Sequence, residues 1–322
     1  MNITPPHRRI ASPHPARRRL DGFTLVELLV VIGLITTMMT MVALLIGNML
    51  DTSRTSATRT TITKVHRMIE ERRDGFMRYQ LRRGEINAAL VKISSYPTSP
   101  QLTSRETRRL ATIVARKMLY KYAFPQNSAD LAPNSANIVN TADSSEYLYW
   151  LLTNGTTFGV PSEGDGRFLA SELGDTDGDG LIELIDGWGE PLRFYRWPTR
   201  LIRPQGLNQT SLSSQDLTRT RFLMGDGNTQ RFLQDPDDDP LATFDKWIRN
   251  QQQAASRKAL EIEFHTPSTW HSPLIISLGS DKLLGLLEPS QTVVFGHLGF
   301  PTNQTSAIYD NITNLNIPST GN

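Results

Sequence analysis

The sequence predicts an α+β protein built on one long N-terminal helix. Three observations carry that reading: an uninterrupted apolar run from Phe23 to Ile46, a proline-free continuation with helical spacing to about Tyr79, and strand-like segments confined to the second half. Helices first and strands later is the order of an α+β fold rather than of alternating βαβ units. The predicted organisation is a basic segment 1–22, a spanning helix 23–46, a helical stalk 47–92, an α+β head 93–300 holding a loop-rich insertion at 198–270, and a polar, partly disordered tail 301–322.

The apolar run has 24 residues, of which only Glu27 is charged. As a helix it is about 36 Å long, enough for a hydrocarbon core of ~30 Å. It exceeds the apolar region of a secretory signal, and its small flanking residue, Gly22, precedes it instead of following it. Arg8, Arg9, Arg17, Arg18 and Arg19 lie ahead of it among four prolines, which places the N-terminus in the cytoplasm and the remainder across the inner membrane.

Beyond the span, Ile62, Val65, Ile69 and Phe76 fall at helical spacing, leaving Arg59, Arg67, Arg72, Arg73 and Arg78 largely on the outer surface. The stretch TSRTSATRTTIT (52–63) has the fewest apolar residues, so the amphipathic pattern is thinnest there. After the loop 94–101, Thr103 and Glu106 form a capping box for a helix to about Tyr122, with Leu110, Val114 and Met118 on one face. Asp143 and Glu146 form a second box ahead of Tyr147, Leu148, Leu151 and Leu152. Strands are predicted at Leu192–Trp197, with Leu192 and Phe194 on one side and Arg193 on the other, and at Pro273–Ser277.

Composition narrows the chemistry. The chain has no cysteine, which excludes disulfides, thiolate metal sites and thiol nucleophiles. Residues 1–122 carry 21 Lys and Arg against 8 Asp and Glu, and residues 123–322 carry 13 against 24, so a net +2 conceals halves of +13 and −11. That division argues against a uniformly basic nucleic-acid binder. The sequence has no phosphate-cradling glycine loop, no H-E-x-x-H and no G-x-S-x-G, and the reading is of a protein that is not an enzyme.

Glu27 is the anomaly of the span, because a carboxylate in a membrane helix ordinarily has a partner. Its surroundings, GFTLVELLVVIGLI (22–35), resemble the prepilin signature of type IV pilins and type II secretion pseudopilins. The resemblance covers about 25 residues. It implies cleavage by a prepilin peptidase between Gly22 and Phe23, methylation of the new Phe23 amine, and a mature chain of 300 residues in which Glu27 is the fifth. It also implies a pilin-like architecture, the long helix packed on a small antiparallel sheet, with assembly into a filament beside other pilin-like subunits and their machinery. In a dry filament core, Glu27 would neutralise the α-ammonium of a neighbouring subunit and favour one axial register.

The segment DTDGDGLIELID (175–186) places acids at loop positions 1, 3, 5, 9 and 12, with Gly180 at position 6 and Ile182 at position 8. This is the calcium arrangement of an EF-hand, ending in Asp as dockerin loops do. It assigns side-chain ligands to Asp175, Asp177, Asp179 and Asp186, a backbone carbonyl to Leu181, and a direct or water-mediated contact to Glu183. Five acids in 12 residues repel one another unless a cation neutralises them, so one Ca2+ is expected. Asp235, Asp237, Asp238 and Asp239 lack the turn glycine and read as a solvated loop.

Two further echoes follow in order. Asp186, Trp188, Gly189 and Pro191 resemble the D-x-W-G-x-P segment of major pseudopilins, and SLGSD (277–281) is similar to their S-x-G-x-D. The calcium that the family places after the latter lacks acids here, since Glu288 is the only one in KLLGLLEPS, which argues against ligation at Asp281. A second reading keeps the span as a plain anchor for a tethered module that binds a surface ligand or DNA through 198–270. A third, an anchored enzyme, has no motif to support it.

Overall fold

The computed structural model describes residues 23–96, 98, 100–126, 130, 143–162, 164–197, 246–248, 250–253, 255–256, 260, 263–264, 272–291, 298 and 307–316. Among the described residues four helices come first: α1 (Leu25–Arg78), α2 (Arg83–Ser94), α3 (Ser104–Ala123) and α4 (Ser144–Thr153). Short strands follow, in three antiparallel groups: the hairpin β1 (Thr156–Thr157) with β2 (Val160–Pro161), the hairpin β3 (Leu173–Gly174) with β4 (Glu183–Leu184), and a sheet ordered β5 (Arg193–Tyr195), β6 (Leu274–Ser277), β7 (Ile312–Thr313). The chain divides into two units, one ending at Leu50 and one from Asp51 onward.

In the first unit, α1 is apolar and uncovered: Leu28, Val31, Ile35, Met38, Val42 and Ile46, on successive turns, are all exposed. The helix is long and apolar enough to cross a membrane.

In the second unit α1 buries a regular stripe, Thr58, Thr61, Ile62, Val65, Met68, Ile69, Arg72 and Phe76, at steps of three and four. Where apolar residues are scarce, small polar ones make the contact. Thr61 Oγ1 donates to Glu172 Oε1 at 2.8 Å, and Thr58 Oγ1 accepts from Gly187 N at 2.9 Å. Gly187 sits so near that a Cβ there would lie 2.5 Å from the Arg54 carbonyl oxygen. Arg59, Arg67 and Arg78 are exposed as expected. Arg72 is not: it is buried, donating to the carbonyls of Met68 (3.0 Å) and Leu152 (3.1 Å), so its guanidinium satisfies a C-terminal carbonyl of α4.

The expected stalk to residue 92 is interrupted. Glu85 takes the Arg82 N–H at 2.6 Å and the Tyr79 hydroxyl at 2.7 Å, starting α2 afresh while Leu81 packs into a second core. Both other capping boxes form as the sequence indicates, at Thr103/Glu106 and Asp143/Glu146.

The principal core joins α1 to the ends of α3 and α4 and to one face of the sheet, through Phe194, Ile275 and Ile312. Within it Phe76 lies edge-on to Tyr120 and Phe158, with centroids 5.2 Å away in each case. Strand alternation sends Tyr195, Leu274 and Ile276 to the opposite face, which Leu278, Leu284, Leu286 and Ile308 cover. The predicted strands are thus present, with Leu192 and Phe194 together in the principal core and Arg193 turned away to Glu288 at 2.8 Å.

Two regions hold packing that the sequence did not announce. Within the polar tail expected from 301, Ile308 and Ile312 are buried and β7 pairs with β6. The insertion 198–270 is more than loop: Trp247, Ile248, Leu260 and Phe264 are buried against α2 and α3. Sparse apolar residues in a polar segment carried no period from which to read that packing. Asp235, Asp237, Asp238 and Asp239 lie outside the described residues.

Two outcomes follow for the full chain in detergent. Gly187→Ala drives a methyl into the α1 backbone and is expected to lower stability by about 1–3 kcal/mol, read as a lower Tm; an unchanged Tm would mean that the turn does not sit against Arg54. Burial alone would raise the Glu172 carboxyl, but hydrogen bonds from Lys64 (2.7 Å), Leu169 N–H (2.7 Å) and Thr61 outweigh it and hold the group below the usual carboxylate range. A depressed folded value means stability present at neutral pH and lost as pH falls below that range. The Tm gap between wild type and Glu172→Gln should therefore be widest near pH 7 and close in acid.

Candidate functional site

The residues singled out by sequence fall in two places. At the N-terminal helix start, Phe23 is exposed and Gly22 lies outside the described residues. Glu27 opens α1: its Oε2 accepts from Thr24 N at 2.9 Å and from Thr24 Oγ1 at 3.0 Å, while Thr24 Oγ1 takes the Glu27 N–H at 3.2 Å. This is a reciprocal T-x-x-E cap, readable at Thr24–Glu27 though absent from the expectation above. It supplies Glu27 with a local partner at a helix end, where an acid also complements the macrodipole.

The acidic loop lies in the second unit as the tip of the β3–β4 hairpin. Pairing of Leu173 with Leu184 and of Gly174 with Glu183 closes its base. Between them the acids wind the backbone. Asp175 accepts from Gly178 N (2.8 Å) and Gly180 N (3.1 Å), Asp177 from Asp179 N (3.1 Å), and Asp179 from Leu181 N (2.8 Å). Gly178 and Gly180 hold φ of +80° and +90°, which few other residues adopt. Asp175, Asp177 and Asp179 each bring a carboxylate oxygen within 4.8 Å of the others, and all three are exposed.

A second acidic group shares Asp177. There, carboxylate oxygens of Glu146, Asp177 and Glu183 lie within 4.8 Å of one another, with Glu146 and Glu183 buried. Glu183 accepts from Thr176 N (2.6 Å) and Thr176 Oγ1 (2.9 Å). Burial first, then repulsion from Asp143 and Asp177, raises its carboxyl despite those bonds.

Glu146 comes from α4, far from the loop in sequence. The helix N-terminus is fixed there by Ser145 Oγ donating to the Leu184 carbonyl (3.1 Å) and by Ser144 Oγ accepting from Phe194 N (3.3 Å). Glu146 Oε2 accepts from Asp143 N, closing the cap, whereas Oε1 is buried with no hydrogen-bond partner. Burial, together with Asp143, Asp179 and Asp177, pushes its carboxyl up to about 7. Sequence reasoning used Glu146 only as a cap.

Asp186, expected at ligand position 12, belongs to neither group. Its buried carboxylate accepts from Trp188 N (2.8 Å) and Glu190 N (3.0 Å) through Oδ1 and from Ser277 Oγ (2.7 Å) through Oδ2. Asp186, which the spacing assigned to metal, instead anchors the turn 186–191. Leu181, expected to offer its carbonyl, reaches the loop acids through its N–H on Asp179, and Glu183 lies with Glu146 and Asp177 and not with Asp175 and Asp179. The two late motif echoes meet at this point, since Ser277 begins SLGSD. Asp281 stands apart from both acidic groups; its N–H donates to Asp310 Oδ2 at 3.0 Å.

Among the described residues, the chain has one apolar N-terminal helix long and apolar enough to cross a bilayer, together with an α+β unit with small antiparallel sheets. Comparison with protein-family models, with curated proteins and with solved structures gives no match.

Asp186→Ala would strand one buried donor, Ser277 Oγ, and two half-buried ones, the Trp188 and Glu190 N–H groups, and should cost about 2–3 kcal/mol, whereas Asp175→Ala, at an exposed tip, should cost well under half as much. Chemical denaturation of the two variants checks the order, and equal losses would return Asp186 to the rank of an ordinary loop acid.

Proposed function

We propose that the protein is a pilin-like subunit, made as a precursor, cut by a prepilin peptidase between Gly22 and Phe23, and assembled into a type II secretion or type IV pilus-like filament. The observation that carries this reading is the coincidence of the 22–35 signature with a helix whose described large apolar side chains between Leu25 and Leu50 are exposed. Such a surface needs lipid before assembly and the same helix of other copies after it. The N-terminus faces the cytoplasm, following the arginines ahead of the span, and the unit from Asp51 faces the periplasm.

Glu27 has two partners in this scheme. In the lone subunit it caps its own helix through Thr24. In the filament its carboxylate neutralises the Phe23 ammonium of a neighbour and favours one register. The head is a binding and spacing element, not a catalyst, and holds one calcium ion at the loop that begins at Asp175. The gathering of Asp175, Asp177 and Asp179 supports that ion.

Intact mass and N-terminal peptide mapping of the protein from its native membrane, with and without the peptidase, tests processing. A methylated Phe23 terminus that vanishes without the enzyme is the expected result. A chain still beginning at Met1 would leave a plain anchor and favour a tethered module. Glu27→Ala should insert into the membrane normally and lose most filament yield, and wild-type yield from that variant would remove its assembly role.

A further inference from the structure

We propose that the cation is seated on the buried side of the hairpin loop, between Glu146, Asp177 and Glu183, so that the ion fastens helix α4 to the β3–β4 hairpin. This rests on the reading of the loop as a calcium site and changes its ligand set.

Oxygens bound to calcium at ~2.3–2.6 Å stand no more than ~5 Å apart, and both acidic groups meet that limit. The groups differ in where their unoccupied oxygens lie. Hydrogen bonds already hold both oxygens of Glu183 and one of Glu146 in the inner group, and both of Asp175 with one each of Asp177 and Asp179 in the exposed group. That group lies open to water, where carboxylates are hydrated at little cost.

The inner group has what the outer one lacks. Glu146 is 4% exposed, and its buried Oε1 has no hydrogen-bond partner, a costly state for a buried acceptor. A carboxylate held in this way is destabilising unless a proton neutralises it or a cation completes it, and a cation can displace the proton. It is also pre-positioned: the Asp143 cap fixes one oxygen, and Ser145 on Leu184 fixes the helix against the strand that carries Glu183. Ligands on such supports lose little freedom on binding.

Three carboxylates supply hard oxygens and three negative charges, with water completing the shell on the exposed Asp177 side. The set suits calcium, because its larger, flexible shell tolerates ligands from unconnected segments better than magnesium's tight octahedron. Asp177 belongs to both groups, so the outer acids raise the local negative potential without being required as ligands.

The experiment is calcium titration of the full chain in detergent, by calorimetry and by Tm with and without chelator, for wild type, Glu146→Gln and Asp175→Asn, with magnesium as the control. Gln at 146 can still accept the Asp143 N–H, so the cap is retained. The expected result is one calcium per wild-type chain, affinity at least about tenfold weaker in Glu146→Gln, and a smaller change in Asp175→Asn. In chelator Glu146→Gln should melt no lower than wild type, whereas in calcium it should melt lower. A purely structural role for Glu146 would lower Tm equally in both conditions and overturn the proposal. Wild-type affinity in Glu146→Gln with loss in Asp175→Asn would overturn it while leaving the loop as the calcium site. No calcium binding by the wild type would overturn both.

Discussion

The carboxylate of Asp186 is the joint on which the second unit depends. Two backbone N–H groups of its own turn and the hydroxyl of Ser277 satisfy it in a buried position. A buried carboxylate is tolerated only with such a complement of donors, and charge-assisted bonds are stronger than neutral ones. The bond to Ser277 ties the turn after the β3–β4 hairpin to β6, the central strand of the sheet. One residue further, the Gly187 N–H reaches Thr58, and the missing side chain lets the turn rest on the α1 backbone. Helix, hairpin and sheet thus meet within two residues.

The acids nearby divide by what their oxygens do. Asp175 and Asp179 bend the loop and Asp186 holds the turn, each through hydrogen bonds to backbone. Glu172 is buried but answered by Lys64 and Thr61. Glu146 alone among these five keeps a buried oxygen without a partner. Spacing in the sequence marks where acids are dense, whereas hydrogen-bond occupancy separates oxygens that are already engaged from those that are not.

Helix α1 carries two different surfaces in one element. Through residue 50 it exposes apolar side chains, and from Thr58 it presents a stripe in which threonines and a close glycine contact precede the large apolar residues. The change suits a subunit whose first half belongs to lipid or to other copies and whose second half belongs to its own fold. Threonine and glycine shorten the distance between backbones, so the contact near Arg54 needs hydrogen bonds and close approach more than apolar area.

Local signals settled much of this protein from sequence alone: the apolar span, the stripe Ile62–Val65–Ile69–Phe76, the capping boxes at Thr103 and Asp143, and the strands around Phe194 and Ile275. Each depends on a period or on a residue three positions away, which the chain encodes directly. Tertiary structure decided what depends on distant partners. Arg72 is buried because Leu152 offers a carbonyl, and Trp247 and Phe264 are core because α2 and α3 lie beneath them. Asp186 turns from the loop to Ser277, 91 residues on, and Glu146 turns from helix cap to the side of Asp177 and Glu183. Spacing within a dozen residues specifies a turn, but the occupancy of a carboxylate oxygen is set by whichever segment the fold brings to it.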